Sequence, residues 1–84
     1  MDKFEIIWID STSLSNTWED EEKAFDFIED EFIVKQVGFI LEETDRYILL
    51  CSRVGEFSQS KIKHYGDVFK IPKACVVKKS KVKT

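Results

Sequence analysis

The chain has few of the residues that build specialised chemical sites: its 84 residues include three glycines, one proline, two cysteines and one histidine. Two cysteines are too few for the disulfide framework of a small secreted domain. Together with one histidine they cannot supply the four paired ligands of a zinc site. The three glycines are isolated from one another, which excludes a glycine-rich phosphate loop. We therefore expect no metal site and no cofactor.

Long apolar runs are also missing. Runs such as residues 6–9 and 48–51 are far shorter than the roughly 20 residues that a membrane-spanning helix needs. The opening residues, Met-Asp-Lys-Phe, lack the basic and then apolar build of a signal peptide. We expect no membrane partner and a cytoplasmic location.

Side chains that favour β-structure are abundant. The apolar residues make up 43% of the chain, and 27 of these 36 residues are Ile, Val, Phe, Tyr or Trp, which suit a half-buried pleated surface. The aromatic content of 13% excludes a disordered chain. A domain this small buries only about 60–65% of its unfolded surface, so association with further copies would add needed stability. The composition predicts one β-rich domain over residues 1–79 and a homo-oligomer.

Charge is divided between the two halves of the chain. Residues 1–45 contain three Lys and fourteen Asp or Glu, a net charge of −11, whereas residues 46–84 contain ten Lys or Arg and two acids, a net charge of +8. The acidic and basic parts can face one another within the fold or between copies. Alternatively, the basic half binds nucleic acid, although a pI near 5.1 is low for a dedicated nucleic-acid binder.

Five short strands and one helix follow from the local patterns. The helix is predicted at residues 18–29, with Thr17 as its N-cap and Asp20 as the reciprocal capping acid. The apolar positions of this helix form one stripe at helical spacing. The predicted strands lie between turn-forming residues. The stripe comprises Trp18, Phe25, Ile28 and Phe32, and the strands are residues 4–10, 33–43, 47–53, 67–71 and 75–79.

The order of these elements favours a closed architecture. The second and third strands form a hairpin, and Gly38 marks a bulge, a bend or a close backbone approach within it. The fourth strand must stop at Pro72, where a tight turn leads into the last strand. This layout is typical of a small five-stranded barrel of the SH3-like or Sm-like kind, and the less favoured alternative is an open α+β sandwich. The basic tail, residues 80–84, is expected to fray.

Several short sequence motifs follow one another along the chain. They are Trp8-Ile9-Asp10-Ser11, Trp18 before a short acidic helix, VGFILEETD at residues 37–45, YILL at 47–50 and IPKACV at 71–76. This succession resembles a family of small accessory proteins of tailed bacteriophages and prophages. Its members typically carry a Trp-x-Asp-Ser opening, a Val-Gly-aromatic hairpin strand and a closing Ile-Pro-Lys-Gly-Cys-Ile. The present chain departs from them at Ala74 and in its basic end. The resemblance implies a phage origin and a non-enzymatic binder of host proteins, nucleic acid or signalling nucleotides.

The polar stretch at residues 54–66 is predicted to be a long loop with some strand character that carries the ligand site. Its basic and aromatic side chains, with two lysines from the nearby strand ends, suit a nucleotide or single-stranded nucleic acid. Trp8 and Trp18 are expected first as core anchors and otherwise as subunit contacts. The ligand-binding candidates are Lys61, Lys63, His64, Tyr65, Lys70 and Lys73.

Catalysis is not predicted. His64, with Ser58 and Ser60 nearby in the loop, does not define a triad. The favoured function is a non-enzymatic, homo-oligomeric accessory protein that occupies a host factor or a small anionic ligand such as a nucleotide. The first alternative is an Sm-like or SH3-like protein that binds RNA or single-stranded nucleic acid through its basic half. A weaker alternative is an acidic DNA mimic whose helix imitates a run of phosphates.

Overall fold

The computed structural model describes residues 1–13 and 18–83 and consists mainly of β-strands. A helix, α1, and a 3-10 turn lie between the first two strands, and a second 3-10 turn precedes the last strand. The strands are β1 Lys3–Asp10, β2 Phe32–Glu43, β3 Tyr47–Cys51, β4 Arg53–Glu56, β5 Lys63–Gly66, β6 Phe69–Pro72 and β7 Val76–Lys81. The helix α1 is Glu21–Asp26, and the 3-10 turns are Phe27–Glu29 and Lys73–Cys75. No helix in these described ranges has the length and apolar character needed to cross a membrane.

Five of the strands form an antiparallel sheet in the order β6-β3-β2-β1-β7, and β4 and β5 form a separate two-stranded sheet. The predicted mainly β class is therefore confirmed, as is the hairpin of β2 and β3. The two edge strands, β6 and β7, follow one another in the chain and are joined by the 3-10 turn Lys73–Cys75. Pro72 ends β6 as predicted, because it has no backbone N–H to continue the ladder.

The sheet curls, since residues on strands that are not neighbours in the sheet touch one another. The ring of Trp8 on β1 lies 5.6 Å, centroid to centroid, from that of Phe69 on β6. Two register shifts help the strands to bend, one in β1 between Ile7 and Trp8 and one in β2 between Ile40 and Glu42, because an extra residue on one strand increases its local twist.

The hydrophobic core lies on the concave side of this sheet and is small. Alternate residues of β1 and β3 point into it, as the two-residue period of a strand requires, and Ile71 of β6 completes it. The indole of Trp8 donates a hydrogen bond from Nε1 to Oε1 of Gln36 at 3.2 Å, which satisfies its polar atom inside the core. The buried apolar side chains are Ile6, Trp8, Ile48, Leu50, Cys51 and Ile71.

Gly38 proves to be a position of close backbone approach. A Cβ atom at this position would lie 2.5 Å from the carbonyl oxygen of Cys51 on β3, closer than real Cβ atoms come. The irregularity that the sequence also suggested occurs two residues later, between Ile40 and Glu42. Glycine is therefore required in β2 by packing against the neighbouring strand.

Three elements differ from the sequence prediction. The helix begins at Glu21 and changes to a 3-10 turn for its last three residues. Its N-cap is Asp20, whose Oδ1 accepts a hydrogen bond from the N–H of Lys23 at 2.8 Å. The predicted N-cap, Thr17, lies outside the described residues. Residues 54–66, predicted as a loop, instead form most of the β4–β5 hairpin. The tail does not fray from Ser80, because β7 continues to Lys81 beside β1, and the N–H of Val82 donates to the carbonyl of Lys3 at 2.8 Å.

Candidate binding surfaces

The β4–β5 hairpin and the loop between its strands, residues 53–66, form an arm outside the five-stranded sheet. Its cross-strand pairs include Val54 with Tyr65 and Gly55 with His64. Every residue of the arm is exposed except Gly66. An isolated two-stranded hairpin is only marginally stable in water, so this exposed arm gains most from contact with something else.

The base of the arm is fixed to the sheet by a small polar network. The hydroxyl of Ser52 donates to Oδ2 of Asp67 at 2.6 Å, and Nε of Arg53 lies 3.4 Å from the same oxygen. The N–H of Ser52 also donates to the carbonyl of Gly66 at 3.1 Å. Asp67 has a φ of 55°, a left-handed conformation that aspartate tolerates better than most residues. This network sets the direction in which the arm leaves the sheet.

One face of the arm carries an open hollow. The rings of Phe57 and His64 meet edge to face, with centroids 5.3 Å apart and planes at 90°. Gly55 lies on β4 opposite His64, and a Cβ at this position would meet no atom within 4 Å. A hollow of about 440 Å³ is lined by these three residues and Glu56. The hollow has the size and the aromatic lining to receive one large flat side chain or ring.

The predicted ligand residues divide into two groups. Four of the predicted residues lie on the arm, namely Lys61, Lys63, His64 and Tyr65. The alternation of side chains along β5 places Lys63 and Tyr65 on the face opposite His64. The other two lysines belong to the five-stranded sheet and its 3-10 turn, so the six residues do not form one site. Those two lysines are Lys70 and Lys73.

Lys70 and Lys73 each have a partner within the chain. The Nζ of Lys70 lies 4.6 Å from the centroid of the Tyr47 ring, and the Nζ of Lys73 lies 2.8 Å from Oε2 of Glu43. The other carboxylate oxygen of Glu43 pairs with Nζ of Lys79 at 2.8 Å. Hydrogen bonds from Lys73 and then Lys79 lower the pKa of Glu43 below its ordinary value. These charges hold the sheet together and are less available to a ligand than those of the arm.

The two tryptophans have opposite environments. Trp8 is 6% exposed and belongs to the core, in line with the core-anchor interpretation. Trp18 is 100% exposed and precedes α1 in a strongly acidic segment, residues 18–31. This segment holds eight acids and one lysine, a net charge of −7. Of the two, Trp18 is the one whose ring is accessible to a partner.

The apolar residues predicted to form one helical stripe do not share a helix. Phe25 alone lies in α1, whereas Trp18 precedes it, Ile28 lies in the 3-10 turn and Phe32 begins β2. All four are exposed: Phe25 is 67% exposed, Ile28 83% and Phe32 57%. Within residues 21–29 the half-buried side chain is that of Phe27, which lies outside the predicted stripe. Large apolar side chains that stay in water are typical of an interaction surface.

The sequence prediction did not include Gly55 and Phe57 among the site residues. The signal for Phe57 was its place among the few apolar residues of a polar stretch, which are Val54, Phe57, Ile62 and Tyr65. Their spacings of three, five and three residues do not follow the two-residue period of a strand face, so they did not predict the hairpin. Gly55 could not be recognised from the sequence, because only its cross-strand partner His64 makes it the floor of a hollow.

Metal and similarity searches give no further assignment. Across residues 1–13 and 18–83, no group of three or more His, Cys, Asp or Glu side chains is arranged to hold a metal ion. No protein-family model matches the chain, and neither a curated protein nor a solved structure is detectably similar to it. The functional argument therefore depends on the surfaces described above.

Proposed function

We propose that the protein is a non-enzymatic accessory protein of the phage type that works as a homo-oligomer in the host cytoplasm. In this role it binds and occupies a host factor or a small anionic ligand such as a signalling nucleotide. The observation that carries the proposal is the exposure of large apolar side chains on two separate elements, the acidic segment and the arm, while the core remains small. Such surfaces in a small domain mark sites of association.

The dimensions of the chain support this proposal. Its radius of gyration is 17.4 Å, with extents of 60 × 26 × 25 Å, whereas a compact domain of 84 residues has a radius of gyration of about 12 Å. Elements that project so far from a small core bury little surface within their own chain. Packing between copies would cover them.

The proposed ligand surface is the face of the arm that carries Lys63 and Tyr65, with Lys61 at the tip. The Tyr65 ring is 44% exposed and can stack on a base, while the two ammonium groups can pair with phosphate oxygens. Glu56 is paired with Lys63 across the hairpin, so strand alternation places its side chain on the face of Lys63 although the residue also borders the hollow. Its carboxylate can accept hydrogen bonds from a base or a ribose. These groups suit a nucleotide better than a bare anion.

Native mass spectrometry of the protein purified from a bacterial lysate tests both parts of the proposal. We expect a multiple of the 9.9 kDa chain mass, together with a retained small molecule or a host protein. Isothermal titration with nucleoside mono-, di- and trisphosphates and cyclic dinucleotides then identifies the ligand class. The variant K61A/K63A should bind the retained ligand at least about 10-fold more weakly, and K78A provides a matched lysine control on β7. The binding function would be contradicted if the purified protein carried no ligand, bound none of these nucleotides and bound no host protein.

We also propose that the curled sheet closes into a small SH3-like or Sm-like barrel. The three-residue connection between the edge strands supports closure, as does the contact between Trp8 and Phe69. Closure would remove the exposed edges through which a small sheet aggregates. An experimental structure with the edge strands β6 and β7 far apart would favour the open sandwich instead.

Nucleic-acid binding is the second candidate, and the basic end of the chain favours it. Lys78, Lys79, Lys81 and Lys83 follow one another along β7 and beyond it. Two of these lysines have acidic partners. Lys79 pairs with Glu43, and the Nζ of Lys81 lies 3.3 Å from Oδ2 of Asp2. These pairs reduce the positive charge available to phosphates. Binding through this surface would weaken steeply with salt, because each phosphate contact releases a counterion. Gel shifts with single-stranded RNA and DNA at low and high salt test this candidate.

A further inference from the structure

We infer that Trp18 of one copy docks into the hollow on the arm of a second copy, against the rings of Phe57 and His64 and above Gly55. This inference rests on the proposed homo-oligomer and specifies which surfaces form its interface. It gives the acidic segment a partner of known chemistry, namely the arm of an identical chain.

The shape of the two surfaces supports this pairing. Trp18 is the most exposed large apolar residue of the described chain, with none of its side-chain surface covered. The hollow of about 440 Å³ has aromatic walls and no side chain on its floor, so an indole fits over Gly55 and contacts both rings. Tryptophan is one of the residues enriched at interface hot spots, which lie in well-packed pockets of the partner.

Charge selects the arm over the other apolar surfaces. The acidic segment carries a net charge of −7, while the arm, residues 53–66, holds three Lys or Arg and one Glu, a net charge of +2. Two acidic segments packed on each other would repel, and so would two arms. The segment of one copy and the arm of another carry opposite net charges and attract each other. Because Lys63 lies on the face opposite the hollow, this attraction favours the arm as the partner, and the fit of the ring in the hollow sets the orientation.

The apolar surfaces beside these residues extend the same contact. Phe25 and Ile28 follow Trp18 along the segment, and Ile62, 60% exposed, continues the face of the arm that carries Phe57. The face with Lys63 and Tyr65 points away from the hollow and stays open. Assembly through the hollow is therefore compatible with a ligand on the opposite face of the arm.

Two single variants and their mixture test the inference by size-exclusion chromatography with light scattering and by sedimentation. W18A removes the inserted ring, and G55L fills the hollow; each should weaken self-association at least about 30-fold. V77A and G55A are the matched controls, because Val77 is an exposed apolar residue of β7 and alanine at position 55 leaves most of the hollow open. Both controls should assemble as the unaltered chain does.

Mixing W18A with G55L should restore a complex of two copies, because one variant keeps its hollow and the other keeps its tryptophan. Circular dichroism verifies that each variant is folded. An unaltered chain that assembles while both variants also assemble normally would overturn the inference and leave the proposed homo-oligomer intact. An unaltered chain that stays monomeric would overturn both.

Discussion

The Nζ of Lys79 lies 2.8 Å from Oε1 of Glu43, although the two residues belong to β7 and β2, which are separated in the sheet by β1. The second oxygen of Glu43 pairs with Lys73 in the 3-10 turn that joins the edge strands. One carboxylate therefore connects the end of β2, the turn and the last strand. This arrangement fixes the curl of the sheet by charge as well as by packing.

Replacing Glu43 with glutamine should destabilise the fold by about 1 kcal/mol. The loss is that of two charge-assisted hydrogen bonds, reduced because the Glu43 side chain is 31% exposed and water screens the pair. Urea denaturation measures the change in the free energy of unfolding. E42Q, at the exposed neighbouring position of β2, is the control and should have little effect. Equal stability of E43Q and the unaltered chain would mean that the two lysines do not hold the carboxylate in solution.

The stabilising effect of Glu43 should disappear in acid. Lys73 and Lys79 lower the pKa of Glu43 below the ordinary value of 4.5, so the folded state binds a proton less readily than the unfolded state. Its contribution is therefore complete above about pH 5 and is lost as pH falls through the lowered pKa. The stability difference between the unaltered chain and E43Q, measured by denaturation from pH 7 to pH 3, should be constant at first and then shrink. A difference that grows on acidification would contradict this sign.

The glycines of β2 and β4 should respond in opposite ways to alanine. G38A forces a Cβ against the carbonyl oxygen of Cys51, and we expect a loss of about 2 kcal/mol or more. G55A meets open space and should be neutral or slightly stabilising, since alanine restricts the unfolded chain. Thermal and urea unfolding of the two variants measure this contrast. A larger loss for G55A than for G38A would contradict the described packing of the two strands.

The polar network at the base of the arm should control its mobility. D67A removes the acceptor shared by Ser52 and Arg53, so amide exchange in residues 53–66 should become several-fold faster. The sheet strands should keep their protection, because the network lies outside the core. Hydrogen exchange read by mass spectrometry resolves the two regions, with D45A as the control. Uniformly faster exchange in arm and sheet would show that Asp67 supports the whole fold instead.

Local patterns were sufficient to predict most of the sheet. The alternation in residues 4–10, the hairpin of β2 and β3, and the stop at Pro72 all depend on neighbouring residues, and the structure has them close to the predicted bounds. The continuation of β7 to Lys81 was not predictable from its lysine-rich sequence, because its partner is the backbone of β1, more than 70 residues earlier in the chain. Pairing between distant segments overrides local propensity in such cases.

The candidate site was predicted less completely than the fold. The basic and aromatic residues of the arm were identified by type, but the sequence could not show that Lys70 and Lys73 pair with Tyr47 and Glu43 elsewhere. The predicted helical stripe was wrong, because the helix ends at Asp26 and Phe32 belongs to β2. The exposure of its residues depends on how little the acidic segment packs on the sheet. Periodicity identifies a face of a helix, and only the tertiary structure tells whether that face is covered.

Sedimentation velocity of the full chain over a range of concentrations tests the central claim most directly. At tens of micromolar we expect a discrete species whose mass is a multiple of 9.9 kDa, and dilution should shift it toward smaller species. The interface joins oppositely charged elements, so high salt should weaken the association in part. A single species of 9.9 kDa at every concentration would contradict the account, because the exposed aromatic residues of the acidic segment and the arm would then have no second copy to cover them.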